Sequence, residues 1–307
     1  MEPETLIERL HSRGLETSHV ADWSIPSRFD VLSRAIAEQS LEYCSDKEIR
    51  INHDLRPICY HYALVLWGSE HGEPFTRLYS WLGRRRPLEV YSFFAVCIVG
   101  LLVVQTRARS KRKAAALFSL GTIGFLEITV ELMMLIAYQL RFGDVYSMLS
   151  LLVCSYMGGI AVGGWYARRG VLSRPKESTN TVKRLLLLQV LAALFPLLVA
   201  ALTSGTGRVG ADLFVQALFV LLIFCSGAVG GALFVQANAV YTESCIEESE
   251  SEAAGASYFA DLLGSALGAI VVTTALLPIF GVVQSLIVAS LLALGGLICV
   301  FRASFRP

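Results

Sequence analysis

Charge is what this sequence has least of. Asp, Glu, Lys and Arg make up 17% of its 307 residues, while 54% are hydrophobic and mean hydropathy is +0.58. A soluble globular domain needs a larger polar share, so that class is excluded and a multi-pass helical membrane protein is expected. The net charge of +1 gives no reason to expect a nucleic-acid partner; the information lies in where the charges fall. Cysteine is sparse and unpaired. The seven cysteines form no CxxC, and Cys97, Cys154, Cys225, Cys245 and Cys299 lie in or beside apolar segments, which is core usage. A Cys44–Cys59 bridge would need an oxidising compartment.

Several motifs are missing too. There is no G-x-S-x-G elbow and no cysteine beside a base, which removes the usual grounds for nucleophilic catalysis. No Gly-rich strand-to-helix turn precedes an acid, so no nucleotide fold is visible and no cofactor is expected on this chain. His53, Cys59 and His61 match no zinc spacing, so no metal is expected either. Met1–Leu10 is charged and offers no apolar h-region, which argues against a cleavable signal peptide.

What the sequence does hold is organised around Leu117–Arg169. Leu117–Leu140 reads as an apolar helix of about 24 residues, roughly 36 Å long, enough to cross a bilayer's hydrocarbon core. It carries Glu127 and Glu131 at i,i+4, on one face, and Tyr138 extends that stripe with Gln139 beside it. After a turn at Arg141–Asp144, Val145–Ala167 forms the second helix of a hairpin. Carboxylates in lipid are costly, about 2.5–3.5 kcal/mol each at a helix centre by insertion scales, so this face must look toward protein, water or a ligand. Asp261 is the third intramembrane acid, with Gln189, Gln216 and Asn238 as further polar company. A proton or cation site is one reading of these acids. The other is helix capping and cross-linking near the interfaces, and Asp261 near the start of its span suits a helix dipole. Small-xxx-small pairs recur at Gly159/Gly163, Gly227/Gly231 and Gly264/Gly268, which predicts close helix crossings.

Candidate spans are Leu88–Gln105, Leu117–Leu140, Val145–Ala167, Leu185–Leu202, Leu213–Tyr241, Ser257–Phe280 and Val282–Phe301. The first has an uninterrupted apolar stretch of only about 15 residues, short for a span. Basic residues in Thr106–Lys113 and in the run from Arg168 to Arg184, with Arg302 and Arg306, place those loops and the C-terminus in the cytoplasm. Seven spans would then put residues 1–83 outside, despite Arg84–Arg86. Six spans would put them inside, so the count stays at six or seven. The acidic loop Glu243–Glu252 reads as a solvated linker. Residues 1–83 form a polar cap region ahead of a transmembrane domain at 84–307. Helices are expected at Pro26–Tyr43 and within Ile49–Trp67, with Leu55, Ile58, Tyr62 and Val65 facing a core.

Three stretches resemble one family, the membrane-fused spermidine synthase-like proteins. Ile51–Pro57, followed by Tyr60, Tyr62 and Trp67, is similar to the end of the aminopropyltransferase-like domain. Gly124–Glu127 with Glu131, Gln139, Gly143 and Tyr146 resembles the first hairpin of the membrane region. Tyr258–Gly268, running on to Leu277, Pro278 and Gly281, is similar to a late helix. The resemblance implies a polyamine-related membrane protein of a bacterial inner membrane. It departs where the chemistry should be: about 50 residues before Ile51 are too few for the Rossmann-like sheet, and none of the family's catalytic acids can be placed here. The chain thus reads as a non-catalytic anchor or subunit, with the bilayer and either a separate Rossmann-like chain or a second copy as partner. A transporter-like module for a polyamine or other cation is the alternative. An aminopropyltransferase active only with a separate catalytic chain is a third.

Overall fold

The computed structural model describes residues 3–12, 26, 52, 55–71, 73–108, 110–142, 146–172, 178–205, 213–244 and 250–304. The predicted helix after Pro26, Cys44, His53 and the middle of the acidic loop lie outside these residues. The chain divides into two compact units, Met1–Ile51 and Asn52–Pro307. Of the first, the helix α1 (Pro3–Ser12) is described.

Every regular element among the described residues is helical, as the composition requires. Two short helices, α2 (Ile58–His71) and α3 (Glu73–Gly83), open the second unit. Then come α4 (Pro87–Arg107), α5 (Lys111–Phe142), α6 (Tyr146–Leu172), α7 (Ser178–Gly205), α8 (Leu213–Glu243), α9 (Glu250–Val271) and α10 (Val282–Ser304). Among the described residues, seven helices are long and apolar enough to cross a membrane. The short first candidate is among them. Pro87 stands in the first helical turn, where its missing N–H costs nothing, and the helix then runs for 21 residues, about 31 Å at the usual rise.

The bundle is built around α5, which packs against α8, α9 and α10 and buries Leu120, Ile123, Val130, Met133 and Met134. By contrast α4 touches mainly α10 and leaves Leu88, Phe93, Val96 and Val104 exposed. Such a surface suits lipid.

Two joints position the functional elements. The first is the α6–α8 crossing, the most extensive helix pair. A methyl group added at Gly159 or Gly163 would strike the carbonyls of Phe224 or Ala228, and one at Gly227 or Gly231 would strike those of Tyr156 or Ile160. The two small-residue motifs therefore lie face to face, and the backbones touch.

The second joint is the end of α9. Val272–Phe280 continues it as a π-helix containing Pro278. A proline has no N–H to donate and crowds the carbonyl four residues back, and widening the helix relieves that crowding. Gly281 ends the element with φ +88°, donating to Leu276 and Leu277. The next residue, Val282, donates to the Leu55 carbonyl at 2.9 Å, which ties the start of the 52–83 segment to the membrane helices. Ile58, His61 and Gly68 then form the buried stripe of α2, with His61 against Gly83 of α3. Leu55 and Ile58 face the core as expected. Tyr62 does not: it is 56% exposed, because the inward stripe runs i, i+3, i+10 from Ile58 and leaves i+4 outside.

Candidate functional site

The carboxylates are placed by two backbone contacts on opposite sides of α5. On one side, a methyl at Gly124 would strike the Asp261 carbonyl, and one at Gly264 would strike that of Gly121. At Gly268 it would lie 3.1 Å from the Phe125 Cα. Helices α5 and α9 thus run in direct contact, and Asp261 sits level with Gly124, one turn from Glu127. On the other side, α6 and α8 arrive as the glycine-paired unit described above. Gly230, adjacent to the crossing residue Gly231, turns toward α5.

Glu127 occupies the notch left by Gly230. A methyl group there would overlap its Oε1, so no other residue type leaves room for the carboxylate as it stands. Tyr156 of α6 donates its hydroxyl to Glu127 Oε2 at 3.2 Å. Oε1 is closed off from solvent and has no hydrogen-bond partner among the described residues. The charges of Asp261 and Glu131 both reach Glu127 electrostatically, and all three reach Tyr156. Four helices, α5, α6, α8 and α9, therefore converge on one acid.

The candidate residues are divided by this geometry. Glu127, Glu131 and Asp261 are brought into one electrostatic neighbourhood. Tyr138 lies eleven residues on, about 16 Å along the helix, in an aromatic cluster 4.7 Å from Phe142 and 5.6 Å from Phe219 between ring centroids. Its hydroxyl is buried with no hydrogen-bond partner among the described residues, and it forms part of the wall of a cavity of about 440 Å³ shared with Ser155 and Gln216. Gln139 is partly buried; among the described residues no hydrogen bond joins it to the carboxylates. Sequence reasoning passed over Tyr156 and Gly230. The tyrosine immediately precedes the small-residue run of α6, and Gly230 is the extra glycine outside the four-residue spacing of Gly227 and Gly231. Both were visible signals.

A second polar knot shows what a purely structural arrangement looks like in this bundle. Gln189 is fully buried, accepts from Ser119 at 3.0 Å and donates to the Ala293 carbonyl at 3.1 Å. Both ends of that amide are satisfied, and it joins α5, α7 and α10. Ser290 likewise donates to the Ala193 carbonyl, beside Pro196 inside α7, where the proline disturbs the backbone ladder. Glu127 differs: half of its carboxyl is bonded and half is bare. A buried polar atom left without a partner costs about 1–3 kcal/mol, and a native site that retains one calls for an explanation.

Comparison with family models, curated proteins and solved structures finds no match.

Proposed function

We propose that the chain is the membrane module of a spermidine synthase-like system, non-catalytic by itself, and that its working centre is Glu127, which takes up a cationic amine or a proton. The bare Oε1 of Glu127 carries this reading. It is an acceptor in a water-poor setting, with two further carboxylates close enough to repel its charge. Like charges in a dry site are relieved by a proton or by a shared cation. A polyamine suits the arrangement because its amines are spaced along an apolar stem. One ammonium would answer Oε1, and Glu131 and Asp261 would offer charge to the next. Tyr156 would hold the other oxygen in place.

Melting of the detergent-solubilised chain tests this. Spermidine should raise the midpoint, since a ligand at 100 times its Kd adds about 2.7 kcal/mol to the bound state. Glu127→Gln should abolish the shift, and Glu131→Gln should weaken it with little effect on the ligand-free midpoint. A wild-type midpoint that responds neither to polyamine nor to pH across the neutral range would remove the cation reading and leave an anchor.

The anchor reading has an observation of its own. Helices α2 and α3 leave Tyr60, Tyr62, Leu66, Leu78 and Trp81 at least half exposed, and such aromatic surface is typical of protein interfaces. A separate Rossmann-like catalytic chain would sit there. Co-purification with the product of the neighbouring reading frame checks this, and loss of that partner on Trp81→Ala with Tyr62→Ala is the expected result. The basic loops then face the cytoplasm of a bacterial inner membrane, together with the C-terminus.

A further inference from the structure

A second feature lies at the opposite end of α6 from the α5–α6 hairpin, away from the Glu127 centre. There α6, α7 and α8 enclose a cleft of about 530 Å³ whose walls include Trp165, Tyr166, Arg169, Arg184, Leu187 and Gln236. Its composition changes with depth. At the rim, Trp165 is 55% and Tyr166 75% exposed, and the Arg169 guanidinium stacks over the Trp165 ring at 3.7 Å. Aromatic rings of this kind mark the head-group level of a membrane. At the back, Gln236 is 2% exposed, yet among the described residues its Oε1 has no hydrogen-bond partner. Leu187 is shared with a neighbouring apolar groove of about 470 Å³, lined also by Val190, Ile298 and Phe301. From Leu187 an exposed stripe runs down α7 through Leu191, Leu194 and Leu198, at helical spacing.

From this geometry we infer a binding site for one anionic phospholipid, with its phosphate at Arg169 and Arg184, a head-group hydroxyl at Gln236 and its chains along the leucine stripe of α7. Each part of the cleft matches a part of such a lipid. Guanidinium forks fit phosphate oxygens in two-point contacts. The bare amide oxygen of Gln236 accepts a hydrogen bond, so it selects a head group carrying a donor over a methylated one. The apolar groove and stripe take hydrocarbon. A phosphatidylglycerol-type lipid provides all three.

The test uses the full chain in a neutral detergent and three probes: phosphatidylglycerol, phosphatidylcholine of matched chains, and inorganic phosphate. Native mass spectrometry reads retained lipid, and melting reads stabilisation. Phosphatidylglycerol should be retained at least about tenfold better than phosphatidylcholine, because both carry the phosphate but only the first offers Gln236 a hydroxyl and brings no quaternary ammonium up to the two arginines. Arg184→Gln should lower retention of both lipids, since both carry the phosphate. Gln236→Leu, which leaves both arginines in place, should cut phosphatidylglycerol retention by several fold and spare phosphatidylcholine. Equal retention of the two lipids by the wild type would overturn the inference. So would inorganic phosphate stabilising the chain as well as the lipid does, since the site would then be one for a soluble anion. If Arg184→Gln fails to fold, Gln236→Leu decides by itself: unchanged lipid preference in that variant refutes the assigned head-group contact.

Discussion

Glu127 and Gly230 are a matched pair, one supplying a carboxyl and the other the space for it. Gly230→Ala should force the carboxylate out of its notch and break the bond from Tyr156, at a cost of about 1–3 kcal/mol as for other overpacked sites. Glu127→Ala removes the atoms that collide. The double variant should therefore be more stable than the sum of the single changes predicts, with a coupling of about 0.5–3 kcal/mol. Reversible unfolding of the four proteins in mixed micelles measures it, and strict additivity would show that the two residues do not touch. The same atoms separate structure from function. Tyr156→Phe removes one donor and keeps the ring, so it should alter the response to spermidine more than the ligand-free stability.

At the scale of whole elements, the glycines divide by what stands opposite them. Gly163→Leu should disrupt the α6–α8 crossing, because the Ala228 backbone leaves no room. Gly100 and Gly255 have nothing within 4 Å of an added methyl. Changing either to Ala should be neutral or stabilising by up to about 1 kcal/mol through helix propensity. Retention of the monodisperse peak after mild heating distinguishes the two groups. That the glycine motifs would be crossings was legible in the sequence, since four-residue spacing puts both members on one face. Which motif meets which was not: the spacing in Gly159/Gly163 and Gly264/Gly268 is identical, and only the fold assigns one to α8 and the other to α5. The same limit applied to the acids. Glu127 and Glu131 were visible as a pair, but the donor from Tyr156 and the notch at Gly230 come from helices far along the chain. Tyr138 shows the converse error. It shares a helical face with Glu127, yet neighbours from α8 draw it into an aromatic cluster, because helical periodicity reports direction around the axis and says nothing of distance along it.

For the molecule as a whole, the open issue in the sequence was whether six or seven helices cross, and the joint at Gly281 bears on it directly. The first apolar segment is short in sequence and flanked by Arg84–Arg86, which left its crossing open. In the structure that segment is a full-length helix, and Leu55 is bonded to Val282 at the turn between α9 and α10. If all seven helices cross in alternation, this turn lies on the face opposite the C-terminal end of α10 and the start of α7. The 52–83 segment is then opposite the basic loops. Cys59 is a native probe, being exposed and unbonded to another cysteine. In intact cells carrying Cys44→Ser and Cys245→Ser, a membrane-impermeant thiol reagent should label Cys59. It should label a cysteine introduced at Ser204 as well, and should reach one at Ser178 only after lysis. Labelling of Ser178 from outside with protection of Cys59 would invert the orientation. Labelling of Ser204 with protection of Cys59 would mean that α4 does not cross. Gly281→Ala provides the structural control, since it requires both an unfavourable positive φ and an overlap with the Leu55 carbonyl. That change should loosen the 52–83 segment, seen as faster proteolysis after Arg77 or Arg84, while Cys59 keeps its side of the membrane because the spans themselves are untouched.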